Sequence, residues 1–256
     1  MFMKIFKRIL LALFLSIFLV TFIFTAVFIY IYKSHYVAPI LMYHSVCLKP
    51  NPKDKLTVSV DAFQRQMDFL KRNRYNVLPL ENLVSLIKEK KRIPPKTIAL
   101  TFDDGYKDNY TYAFAILKKY HFPATIFVIV NEIGRSDRLS WDEIKEMRDS
   151  GLISIGSHTL GAEPLVNLQS EEEIKREIFD SKKILEKKLG QQITSFSYPE
   201  GRFNSQIRRL VIDAGYKLAV ATSPGKKFSC DDIFVLKRLR ISENAKNLFV
   251  FWIETS

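Results

Sequence analysis

The feature that most narrows the possible folds is an alternation. Short apolar runs rich in β-branched residues are followed, about seven times along the chain, by segments whose apolar residues recur at helical spacing. Strands are expected over 37–43, 75–78, 97–102, 124–130, 152–156, 194–198, 217–221 and 234–241. Between them, Phe63, Met67 and Leu70 share one helical face, as do Ala113, Ile116, Leu117 and Tyr120. Ser140 with Glu143 and Ser170 with Glu173 are capping boxes that open helices, the second closed by Gly190. Such alternation calls for parallel strands joined by right-handed crossovers, hence an α/β fold. A distorted or incomplete (β/α) barrel is the expected architecture. An open doubly wound sheet is the alternative, but no glycine-rich loop follows the first strand, so a dinucleotide site is unsupported.

In either fold, chemistry belongs at the C-terminal tips of the strands. The run Thr97-Ile98-Ala99-Leu100-Thr101-Phe102 ends in Asp103, Asp104 and Gly105. Two adjacent carboxylates repel, so a fold that keeps both close gives one a cation and leaves the other free to act as a base; the plainer alternative is a solvated turn. His44 follows the first strand, His158 the fifth and Tyr198 the sixth, so a barrel would turn all of them toward one mouth. His35 and His121 are assigned no role.

The N-terminus obeys other rules. Residues 9–32 carry no charge and are almost wholly apolar, long enough to span a bilayer as a helix. Lys4, Lys7 and Arg8 precede this run and Lys33 follows it, which orients the remainder outward. The expected organisation is a cytoplasmic basic tail (1–8), a transmembrane signal anchor (9–32) and one exported catalytic domain (33–256). No small-residue cleavage site ends the run, so a retained anchor is favoured over a cleaved signal peptide. The net charge of +12 is spread along the chain and interleaved with acids, as over 171–188, which argues against nucleic acid as a partner. Cys47 and Cys230 are the two cysteines, too few for a disulfide framework or a thiolate zinc motif, and compatible with a bridge or two thiols.

Three motifs in register carry a family resemblance over roughly 37–241. Thr101-Phe102-Asp103-Asp104-Gly105, Ser157-His158-Thr159 and Phe196-Ser197-Tyr198-Pro199-Glu200-Gly201 resemble the first three motifs of the polysaccharide deacetylases, carbohydrate esterase family four. Pro39-Ile40-Leu41-Met42-Tyr43-His44 and Leu139-Ser140-Trp141 resemble the exported, surface-anchored branch that includes poly-N-acetylglucosamine deacetylases. The resemblance implies removal of acetyl groups from an N-acetylated glycan, aided by a divalent metal ion, zinc by expectation, that polarises the amide and acidifies a bound water. It makes Asp103 the general base, Asp104 and His158 metal ligands, and His44 the acid that protonates the departing amine. On the substrate side it implies Tyr198, through a backbone N–H on the oxyanion, and Arg238, paired with the base.

One departure matters. The metal motif of the family runs His-Thr-x-x-His, whereas His158-Thr159-Leu160-Gly161 is followed here by Ala162. A methyl group replaces the second histidine ligand, and two protein ligands hold zinc far less well than three. Glu163, one residue out of register, is the candidate replacement. Three readings stay open: an active envelope deacetylase, an impaired relative that binds glycan, and a hydrolase of some other amide or ester.

Overall fold

The computed structural model describes residues 14–25, 38–51, 53–222 and 232–255. The chain divides into two compact units, Met1–Val37 and Ala38–Ser256. In the first, residues 14–25 form a helix with exposed side chains. Among the described residues no helix is long and apolar enough to cross a membrane. The remainder of the expected anchor, the basic tail, His35 and Cys230 lie outside the described residues.

The second unit is a closed parallel barrel. Strands β1 (Ile40–Tyr43), β5 (Thr97–Phe102), β6 (Ala124–Val128), β7 (Ile153–Ser157), β8 (Ser195–Ser197), β9 (Leu218–Thr222) and β10 (Leu236–Arg240) pair in a ring, and β1 closes it by pairing with both β5 and β10. Register carries the closure: Leu41 sits opposite Leu100 on one side and Leu239 on the other. Closure excludes the open-sheet alternative. Every residue of β5 is buried, as expected of a strand covered on both faces. The short β4 (Asn76–Val77) hangs on β5, and β2 (Ser45–Cys47) pairs with β3 (Thr57–Ser59) beyond the barrel end.

Helices fill the outer layer. Ser59 caps α1 (Val60–Arg72) by accepting from the Ala62 N–H, and this helix buries Phe63 and Met67 against the barrel. Phe63 meets Tyr43 and Phe102 edge-on, while Tyr43 and Phe102 stack at 5.3 Å. Next come α2 (Leu80–Lys88), α3 (Ala115–Tyr120) and α4 (Trp141–Asp149). Both expected capping boxes form, at α4 and at α5 (Glu171–Lys175).

Two expected helices are less regular than the sequence suggests. The helix leading into α3 begins as a π-type segment, Asn109–Phe114, and α5 runs into α6 (Ser181–Leu189) through another, Arg176–Asp180. Each wide turn carries a polar side chain toward a strand-end loop, and π-turns recur at functional sites for that reason. Finally α7 (Ser205–Asp213) and α8 (Leu248–Thr255) complete the layer.

Candidate active site

Asp103 leaves β5 with its N–H donated to the Tyr43 carbonyl at 3.0 Å, so the β1–β5 ladder extends one residue into the site. Its buried carboxylate is gripped from below by Arg238. Nη1 donates to Oδ1 at 2.7 Å and Nη2 to Oδ2 at 2.6 Å, a bidentate fork–fork pair. Arg238 is fully buried on β10, and it donates also to Ser197 Oγ at 2.9 Å and Thr101 Oγ1 at 3.2 Å. Burial alone would push the Asp103 carboxyl up; the Arg238 guanidinium, helped by His158 and the hydrogen bonds, outweighs it and holds the group well below the usual carboxylate range.

The next residue turns sharply. Asp104 has φ of 70° and Gly105 follows at 67°, so a non-glycine side chain is held in the left-handed region at the site. Asp104 Oδ1 lies 3.4 Å from His158 Nε2. On the far side of that ring, Nδ1 is 2.8 Å from the Ser197 carbonyl, which can only accept. The contact therefore assigns the proton to Nδ1 and leaves Nε2 facing Asp104, the arrangement of a ligating histidine. Burial lowers the His158 pKa, but Asp103 and the hydrogen bond and charge of Asp104 raise it further, and the net shift is upward. For Asp104, burial raises the pKa and His158 more than reverses it.

His44 completes the wall from β1. Its carbonyl accepts from buried Asn109 Nδ2 at 2.7 Å, the side chain aimed by the first π-type segment. The residue before β2 is thus held from two sides, since Asp108 accepts from Ser45 Oγ at 2.5 Å and from the Val46 N–H at 3.1 Å. Nδ1 of His44 is buried and has no hydrogen-bond partner among the described residues. Burial pushes the pKa of this imidazole down, against the raising influence of Asp103 and Asp104.

These groups share one cavity of about 590 Å³ at the C-terminal end of the barrel, large enough for sugar units. Ala162 lies on its wall. Glu163 does not, and the expectation that it replaces the missing histidine is corrected here. Thr159 takes φ of 67°, and the N–H groups of Leu160 and Gly161 both donate to Glu177 Oε2, at 2.9 and 2.8 Å. With the loop so pinned, position 162 faces inward, and Glu163 instead accepts from Asn167 Nδ2 at 2.6 Å. Among the described residues no cluster of three or more His, Cys, Asp or Glu side chains could hold a metal ion. Asp104 and His158 are a two-donor set, one short of the usual catalytic zinc site, so the residues present do not fit the metal centre that the resemblance implies.

Tyr198 is also corrected. Its N–H donates to the Val220 carbonyl at 3.1 Å, within the β8–β9 ladder, and is not free for an oxyanion. The side chain is fully buried, stacked on Phe203 at 4.7 Å with its hydroxyl donating to the Phe234 carbonyl. It belongs to the core. Arg238 is fully buried beneath Asp103 and paired with its carboxylate.

Sequence reasoning missed Ser197, Asn109, Asp108 and Glu177. Ser197 stood inside a quoted motif without an assigned role. The others sit in helical turns that periodicity treats as surface.

A parallel barrel with a carboxylate–arginine pair, a carboxylate–histidine pair and a second histidine at its mouth defines a hydrolase-like barrel with acid–base groups in one cleft. Comparison with known proteins carries this further. Residues 90–219 match the family model described as polysaccharide deacetylase. YxkH of Bacillus subtilis, classed with those enzymes, is 37% identical over 204 residues, covering 80% of this chain and 71% of that one. The poly-β-1,6-N-acetyl-D-glucosamine N-deacetylase of Staphylococcus aureus is 28% identical, covering 74% and 69%. The Streptococcus pyogenes deacetylase PplD, solved with acetate, superposes with a TM-score of 0.76 at 32% identity, covering 83% of this chain and 96% of that one. The chain belongs to the polysaccharide deacetylase family.

Proposed function

We propose that the protein hydrolyses N-acetyl groups from an N-acetylated glycan outside the cytoplasm, tethered by its N-terminal segment. The observation that carries this is the buried Asp103–Arg238 pair opening on the same cavity as Asp104, His158 and His44. As water adds to the amide carbon, its proton passes to Asp103, whose lone pairs are oriented by the two Arg238 N–H groups. Protonated His44 gives its proton to the nitrogen as the C–N bond breaks, releasing acetate and an amine. Asp103 then returns its proton to His44. Asp104 and His158 line the same cavity, Oδ1 of one 3.4 Å from Nε2 of the other. The tether and outward orientation rest on the uncharged run 9–32 and the basic residues before it.

Amine release from N-acetylglucosamine oligomers tests the reading. Asp103→Asn is expected to lower turnover by about 10²–10⁴-fold, the usual span of one acid–base group; unchanged turnover removes Asp103 from the mechanism. A second reading, glycan binding without hydrolysis, is favoured by Ala162 alone. Wild-type protein that binds the oligomers and releases no amine would establish it.

A further inference from the structure

Arg240 is a charged group of the cleft that the acid–base arrangement does not use. On β10, Leu236, Arg238 and Arg240 alternate with Lys237 and Leu239, so Arg240 stands on the same strand face as Arg238, one step nearer the mouth. It is exposed there and lines the cavity with His44, Asp103 and Asp104.

The other charged groups of that wall are matched. Asp103 is taken by Arg238 and Asp104 by His158. Glu132 places one oxygen on Arg135 and the other on Arg138, which also contacts Asp137. Even Glu200, at the rim, has Arg202 at 3.5 Å. Arg240 has no acidic partner among the described residues, in a cleft whose carboxylates are already committed. A guanidinium placed in this way offers a planar fork suited to a carboxylate or phosphate.

Resting on the deacetylation reading, we propose that the glycan is anionic, and that Arg240 binds a carboxylate or phosphate substituent on a sugar beside the reacting N-acetylated residue. Neutral and anionic forms of the same backbone then differ mainly at this contact. A charge-assisted pair at a partly solvated rim is worth about tenfold in selectivity.

The test uses the purified full-length chain and three oligosaccharides of equal length: neutral N-acetylglucosamine, the same with lactyl carboxylates on alternate sugars, and the same with 6-phosphates. Amine release and binding titrations are both recorded. The expected result is a preference of about tenfold or more for one anionic series, largely lost in Arg240→Gln and partly kept in Arg240→Lys. Which series is preferred identifies carboxylate or phosphate as the recognised group. Equal handling of neutral and anionic series, or a preference untouched by Arg240→Gln, overturns the proposal. Tight anionic binding that depends on Arg240, without amine release from any series, supports it while refuting the hydrolytic reading.

Discussion

Replacing Arg238 by methionine isolates the strongest electrostatic device in the molecule. The methionine fills much of the arginine stem's space, so the main loss is the charge and its hydrogen bonds. Asp103 loses both forks, at 2.6 and 2.7 Å, and keeps only Ser197 Oγ at 3.4 Å, in a site from which water is nearly excluded. Stranding one partner of a buried ion pair costs about 3–5 kcal/mol. The pH dependence has a defined sign. In the wild type the folded pKa of Asp103 lies below its unfolded value of about 3.9. The pair's contribution is therefore fully present above that unfolded value and is lost as pH falls through the folded pKa. Without Arg238, burial dominates and the folded pKa rises above the unfolded one, so the variant is penalised at neutral pH and relieved as Asp103 protonates. The stability gap between the two proteins is expected to be widest near pH 7 and to shrink toward pH 4. Urea unfolding followed by tryptophan fluorescence at several pH values measures it. A gap below about 1 kcal/mol at pH 7, against the 3–5 expected, or a gap of constant size over that range, refutes the argument.

Three further outcomes are expected. Ala162→His adds a third donor on the wall beside Asp104 and His158, and metal analysis after dialysis should show zinc retention strengthened by about tenfold or more relative to wild type. In the pH profile of kcat/KM, the alkaline limb should fall with a midpoint below the ordinary histidine value of about 6.5, because burial lowers the His44 pKa and the protonated form is the acid; His44→Gln should remove that limb. Glu177→Ala strips two loop amides of their acceptor, costing about 2 kcal/mol, and hydrogen exchange at Leu160 and Gly161 should accelerate while that at β5 does not.

The alternation of apolar strands with amphipathic helices determined the barrel, because a strand buried on both faces must be apolar throughout and its crossover helix must carry one apolar stripe. The same pattern located the site, since His44, Asp103, Asp104 and His158 each end a strand and parallel closure brings strand ends together. What the linear chain could not express is direction. Tyr198 and Ser197 are neighbours in one motif, yet the β8–β9 ladder consumes the Tyr198 amide while the Ser197 hydroxyl turns inward to Arg238. Glu163 and Ala162 are also adjacent, and only the two amides tied to Glu177 decide which faces the cavity. Asn109 and Glu177 gained their roles from π-type turns, which arise from tertiary contacts rather than from periodicity. Sequence alone thus determined which residues stand at the mouth of the barrel, and the packed structure decided which of them point into it, because side-chain direction follows from hydrogen bonds between segments far apart in the chain.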